Sequence, residues 1–452
     1  MTSRTSTAAL TEGPIVPTLI RLAAPMLVGI LSMMAFNVID TYFVGQLGTV
    51  PLAAMTLTCP VVMVIGMFAL GIGVGAMAVI SKGIGAGDEK GIRRCTTDAL
   101  SLSVVCVVVM CALGLVSMDP LFRMLGATDA MLPLVREYMV IWYPGMLVYV
   151  VPMIGNNIIR ATGDTTTPSV VMVLGVLLNT ALDPLLIFGW GPVPAFGVAG
   201  AAIATVSARA FTLVVALWVL VKRERLLTEL WPGLGVLLES WKRILTIGFP
   251  VAISNSIIPV AMGVITRIVV QFGETAVAGF GVATRIEGLG LSLVFAVSTG
   301  ISPFVGQNFG AGHFSRIRTA LAISHRFSIL WGGLLFAAFL LFCRGFATAF
   351  DPDPDTVLSA SSYLWIVSVS LGLRSIHSIV WTALNVLSRP YDALVLEGLL
   401  AFGLWIPLAL LGGHYGGITG VYMGLSLANI IGGVMAYFWM GYVTRRLERS
   451  AA

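Results

Sequence analysis

Charge is the scarcest commodity in this sequence. Asp, Glu, Lys and Arg make up only 10% of its 452 residues, against 58% hydrophobic ones, whereas a soluble domain carries about 25% charged residues. So little charge cannot clothe a water-facing surface of this size, and a mean hydropathy of +0.97 points to lipid as the solvent. The net charge of +5 comes from loops, so it is not a nucleic-acid footprint, and no nucleic-acid partner is expected. Cysteine is also sparse. Cys59, Cys95, Cys106, Cys111 and Cys343 show no CxxC or CxxH spacing, which argues against a disulfide framework or metal site and for small apolar packing residues. GxxxxGK[ST], a nucleophile elbow and HExxH are all missing, so no ATP motor or hydrolase is legible and no cofactor is expected. Gly71, Gly73 and Gly75 form a GxGxG inside an apolar run, not between a strand and a helix as a dinucleotide fingerprint requires; Gly71 and Gly75 read as a small-residue packing face. Gly83, Gly85 and Gly87 read as a turn. The apolar run from Ile15 has no small-residue cleavage site, so the first helix is expected to stay in the chain.

Long apolar runs are what remain. Twelve segments approach the roughly 20 residues a spanning helix needs: 17–43, 52–80, 96–117, 131–155, 169–189, 198–221, 244–271, 277–306, 320–342, 357–384, 393–411 and 417–441. With the N-terminus in the cytoplasm, 19 of the 26 basic residues, from Arg4 to Arg449, fall in inside-facing segments, and only Arg123, Arg136 and Arg344 fall outside. That bias obeys the positive-inside rule and predicts cytoplasmic termini at both ends. The two halves also repeat. A shift of 225 residues superimposes Pro25/Pro250, Thr41/Thr266, Gly48/Gly273, Tyr138/Tyr363, Gly85/Gly310, Gly87/Gly312 and Arg93/Arg318. Residues 1–221 and 244–452 are thus expected to be two six-helix lobes joined by a basic cytoplasmic linker, 222–243. The expected fold is all-α and integral to the membrane: twelve transmembrane helices in two parallel repeats around a central cavity. An even number of spans per half gives both halves the same orientation, an arrangement of alternating-access transporters; channels also duplicate, so the repeat favours transport without proving it.

Ionisable groups inside spans cost about 2.5–3.5 kcal/mol at a helix centre, so each needs a reason. Asp40 shares a helical face with Met33, Phe36 and Asn37, and Asp183 shares one with Val176 and Asn179. In a dry cavity a carboxylate holds its proton more tightly, and a second carboxylate nearby adds to the effect. Such a pair can carry a proton from one side to the other; with Asn179 and a hydroxyl such as Thr205, the same oxygens can instead coordinate Na⁺. The bland alternative is two helix-end carboxylates at the outer interface. In the second half, Asp40 is replaced by Ile265 and Asp183 by Leu408 or Ile406, which is expected if the first half alone couples to an ion. Arg285 and Glu287 are expected to pair with each other or with Arg267. Arg374 and His377 share a face, where His377 could relay protons or simply pack.

The resemblance follows from these residues. "AAPMLVGILSMMAFNVIDTYFVGQLG", the "GxGAGD" turn, "RATGDTTTP", and "NTALDPLLIFG" followed by "GVAGAAIAT" are together similar to the multidrug and toxic compound extrusion (MATE) family of drug/cation antiporters. The first-span and "LDP" aspartates resemble its DinF-like and archaeal branch. The resemblance implies Asp40 as coupling carboxylate, Asn179 and Asp183 as partners, Tyr138, Asn156 and Thr205 in the polar network, and Pro25 as the hinge of the first helix. It further implies export of amphipathic organic cations and drugs in exchange for H⁺ or Na⁺, by a monomer in a bacterial or archaeal cytoplasmic membrane. "GFPVAISNSIIPV" and "LRSIHSIVWTALN" lack the acidic residues of the NorM branch. The main rival is a flippase for a lipid-linked precursor, which would need a strongly basic cavity; Arg209, Arg267, Arg285 and Arg374 are scattered. An enzyme would need a clustered nucleophile and base, and none is found.

Overall fold

The computed structural model describes residues 10–229 and 233–451; Arg4 and the middle of the linker, 230–232, lie outside the described residues. Within them the chain is almost wholly helical: α1 (Ile15–Gly45), α2 (Thr49–Ala86), α3 (Glu89–Met124), α4 (Leu132–Ala161), α5 (Thr166–Ile187), α6 (Gly197–Trp218), α7 (Leu234–Val270), α8 (Glu274–Gly310), α9 (Phe314–Phe350), α10 (Pro354–Ser368), α11 (Leu371–Val386), α12 (Pro390–Gly398) and α13 (Ile406–Ala451). Wide-wound π segments extend α6 (Val219–Arg223) and join α12 to α13 (Leu399–Trp405). Large apolar side chains such as Val116, Leu330, Leu341 and Phe438 are fully presented outward, as lipid-facing positions require. Hydroxyls close on their own helix: Thr41 donates to the Asn37 carbonyl (2.7 Å) and its repeat mate Thr266 to that of Met262 (2.8 Å), the satisfaction a bilayer demands.

Among the described residues, ten helical stretches are long and apolar enough to cross a bilayer. The predicted tenth span is broken: α10 and α11 are bent by 64°. No proline causes it. Ser370 at the break bonds the Val367 carbonyl (2.7 Å) and accepts from Asn429 Nδ2 (3.1 Å), and Trp405 Nε1 donates to Asn429 Oδ1 (2.9 Å). Polar side chains thus meet the backbone groups that the bend frees. The last stretch, Pro390–Arg449, is 60 residues long but turns back at Gly417 (φ 59°, ψ −149°), a conformation essentially confined to glycine. Gly412 then lies against Gly420, and Gly424 against Leu408. It is two antiparallel spans, which brings the total to twelve.

The residues cluster into two compact units, Val28–Ala252 and Leu10–Leu27 with Ile253 onward. Membership changes inside α1 two residues after Pro25 and inside α7 two residues after Pro250, although α1 remains helical through its proline. In the first unit α4 packs on α2, α3 and α6; in the second, α8, α9, α10, α11 and α13 pack together. The repeat is visible in the backbone. Gly48 and Gly273, which precede α2 and α8, have φ of 117° and 102°, and Gly87 and Gly312 have φ of 73° and 75°. L side chains rarely adopt these angles, so these glycines match for a steric reason. The Gly71/Gly75 face meets the backbone of Ile244 and Gly248 on α7 so closely that a methyl group at either position would overlap it, the close helix approach read from the sequence.

Candidate functional site

Helix α5 places Asn179 and Asp183 one turn apart, 1% and 0% exposed, with Asn179 Nδ2 donating to Asp183 Oδ1 (3.2 Å). Among the described residues, Asp183 Oδ2, Asn179 Oδ1 and the neighbouring Thr180 hydroxyl are buried without a hydrogen-bond partner. Buried polar oxygens are rarely left so. Asp40 on α1 is half-buried and close enough for its charge to act on Asp183. Tyr138 on α4, 7% exposed, is within electrostatic reach of both aspartates and of Arg209. Four of the residues singled out in the sequence are therefore gathered in the first unit.

The others are placed as follows. Thr205 on α6 lines a narrow cavity with Asn179, Phe36, Gly175 and Arg209. Asn156 is half-buried with its side-chain oxygen unpartnered. Asn37 is exposed and turns its amide back to the Met33 carbonyl (3.2 Å). Pro25 sits in the part of α1 that belongs to the second unit. Among the described residues no group of three His, Cys, Asp or Glu is gathered to hold a metal ion.

One expectation needs correcting. Glu287 does not pair with Arg285 or Arg267. Residues two apart on a helix point in different directions: Arg285 is exposed, as is Arg267, whereas Glu287 is 4% exposed. Glu287 forms an ion pair with Arg374 of α11 and accepts from the Tyr363 hydroxyl (2.6 Å). The Arg374 guanidinium also lies over the Trp405 ring, 5.3 Å from its centroid. His377, one turn from Arg374, faces Glu397 of α12 (Nδ1 to Oε2, 3.8 Å). The second unit thus has its own buried carboxylates, but not where the repeat would put mates of Asp40 and Asp183: Ile265 is fully buried in the apolar core and Leu408 packs against it. The sequence does not single out Glu397, because it stands near a span's edge, where a carboxylate usually meets water.

Arg209 is likewise set apart by its packing and not by its place in the sequence. Its guanidinium lies over the rings of Phe36 (5.5 Å) and Tyr149 (5.3 Å), contributed by α1 and α4, and among the described residues its one hydrogen-bond contact is the weak acceptor Met33 Sδ at 3.9 Å. No sequence spacing links 36, 149 and 209, so only the packing shows the arrangement.

The comparisons agree with this architecture. The family model MatE matches residues 25–185 and again 250–411, a second match that begins 225 residues after the first, the offset of the repeat. A protein named FAD transporter from Shewanella oneidensis is 35% identical over 429 residues, 95% of each chain. A protein named probable multidrug resistance protein NorM from Thermotoga maritima is 26% identical over 91% of this chain and 89% of its own. Among solved structures, the Vibrio cholerae MATE transporter VcmN in its bent form superposes with a TM-score of 0.91 at 28% identity, over 98% of this chain and 99% of that one.

Proposed function

The chain belongs to the MATE family of transporters and is a multi-pass membrane protein rather than an enzyme, and on that premise we propose that it is an ion-coupled export antiporter of the DinF-like kind. Asp40, Asn179 and Asp183 are its coupling site. The carrying observation is the buried Asn179–Asp183 pair with open oxygens, inside the electrostatic reach of Asp40. Uncompensated buried carboxylates are unstable as bare charges, so they call for a proton or a hard cation such as Na⁺, for which the side-chain oxygens of Asp183, Asn179 and Thr205 are suitable ligands. Tyr138 and Asn156 complete the polar surroundings. In a cytoplasmic membrane with both termini inside, an entering cation gains about 2.3 kcal/mol per charge per 100 mV. Its occupancy of Asp40 and Asp183 displaces a cationic, drug-like cargo from the same charges, which gives exchange. The scattered basic residues do not favour a lipid-pyrophosphate flippase.

Efflux of a fluorescent organic cation from cells tests this. Asp40→Asn and Asp183→Asn, at expression equal to wild type, are expected to abolish efflux; undiminished efflux by Asp40→Asn overturns the assignment. A second reading, that the physiological cargo is a flavin dinucleotide, is favoured by the FAD transporter relative; there, flavin accumulation outside expressing cells replaces the dye readout.

A further inference from the structure

The two units each hold a half-buried arginine beside aromatic rings, and they treat its charge differently. In the second unit Arg374 is neutralised internally, by the ion pair with Glu287. Position 374 is the repeat mate of Tyr149, the ring on which Arg209 rests in the first unit. Arg209 has no such neutralisation. Among the described residues it makes no ion pair, and the groups near enough to act on its charge are the neutral hydroxyls of Tyr149 and Tyr138. A guanidinium stays protonated under all ordinary conditions, and a buried charge is tolerated only when paired. The rings of Phe36 and Tyr149 lie close to this one. Arg209 lines the narrow cavity where Asn179 and Thr205 supply neutral polar groups and Gly175 presents no side chain. A planar fork of N–H donors held beside rings matches an oxyanion in two-point geometry. The Trp142 ring, 6.2 Å from that of Tyr149, continues the aromatic wall.

We propose that Arg209 is an anion-holding point and that the cargo taken by the first unit carries an acidic group, phosphate or carboxylate, attached to a flat ring system. This rests on the second transport reading, the flavin dinucleotide cargo, and not on the cationic one, but it concerns binding, so the two can fail separately. Riboflavin and FMN are suitable probes because they share one ring system and differ by a phosphate. Binding to the full-length purified protein is followed by quenching of flavin fluorescence. FMN is expected to bind wild type at least about tenfold more tightly than riboflavin, a preference of the size one charge-assisted contact supplies. Arg209→Gln should remove the preference while leaving riboflavin binding in place, and Arg209→Lys should keep part of it. Inorganic pyrophosphate should compete with FMN and leave riboflavin bound, a test that needs no variant to fold. Equal binding of FMN and riboflavin by wild type, binding of neither, or equal weakening of both by Arg209→Gln overturns the proposal. Protein that binds FMN with the expected preference yet moves none across proteoliposomes counts against the transport reading and leaves the anion point standing.

Discussion

The Arg374–Glu287–Tyr363 cluster makes a quantitative demand on stability. Removing one partner of a buried ion pair costs about 3–5 kcal/mol, because the other charge is left unpaired. Glu287 is buried, but the Arg374 side chain is 27% exposed, so solvent screens part of the interaction and the lower end applies. Arg374→Met should destabilise by about 3 kcal/mol, leaving Glu287 with only the Tyr363 hydroxyl. Glu287→Gln should cost less, about 2 kcal/mol, since the freed arginine can still reach solvent and stays over Trp405. The double variant has no orphaned charge and should lose about 3 kcal/mol in all, a coupling of about 2 kcal/mol. Tyr363→Phe should cost about 1.5–3 kcal/mol, the range for a hydrogen bond to a charged group. The assay is equilibrium unfolding in mixed micelles, read by tryptophan fluorescence, with Trp405 beside the cluster as a local reporter. Losses that add within about 0.5 kcal/mol would mean that Glu287 and Arg374 do not depend on one another, and the argument would be refuted.

Three further perturbations follow from the packing. Gly75→Leu should destabilise strongly or prevent folding, because its side chain would run into the α7 backbone at Ile244 and Gly248, whereas Gly263→Ala, with open space at its Cβ, should shift the melting temperature little. Gly417→Ala should cost about 1–3 kcal/mol of backbone strain, read as a lower unfolding midpoint, and Gly417→Asn should give no rescue. Asp353 caps α10 by accepting from the Thr356 backbone N–H (2.9 Å) and hydroxyl (2.8 Å), and these bonds hold its carboxyl below the ordinary range. Its contribution is therefore present above the unfolded-state value and lost as pH falls through the depressed one; Asp353→Ala should narrow the difference in stability between neutral and acid pH, and an unchanged pH profile would remove the cap from the account.

Much of the architecture was legible because it rests on local physics. Spans announce themselves by apolar length, and the matched glycines at 48/273 and 87/312 by a backbone angle that only glycine adopts freely. The broken tenth span was not legible, since Ser370 and Asn429 are 59 residues apart and neither is a helix breaker. The same holds for Glu287, whose partner is 87 residues away while Arg285 offered a nearer, misdirected choice. At the candidate site, the i, i+4 relation of Asn179 and Asp183 was readable from helix geometry, and the structure realises it. Asn37, which shares the same spacing, is exposed and bonds back to the Met33 carbonyl of its own helix, and spacing along α1 cannot say which face the rest of the unit covers. Arg209 needed three helices to be placed before its setting had meaning.

The central claim is that cation occupancy of Asp40 and Asp183 drives cargo export, and flux in proteoliposomes measures it most directly. With ΔpH and ΔNa⁺ imposed separately, wild type should move an organic cation against the direction of one of these two ions, and Asp40→Asn should bind the cargo yet show no gradient-driven flux. Cargo movement that ignores both gradients, or that persists undiminished in Asp40→Asn, contradicts it.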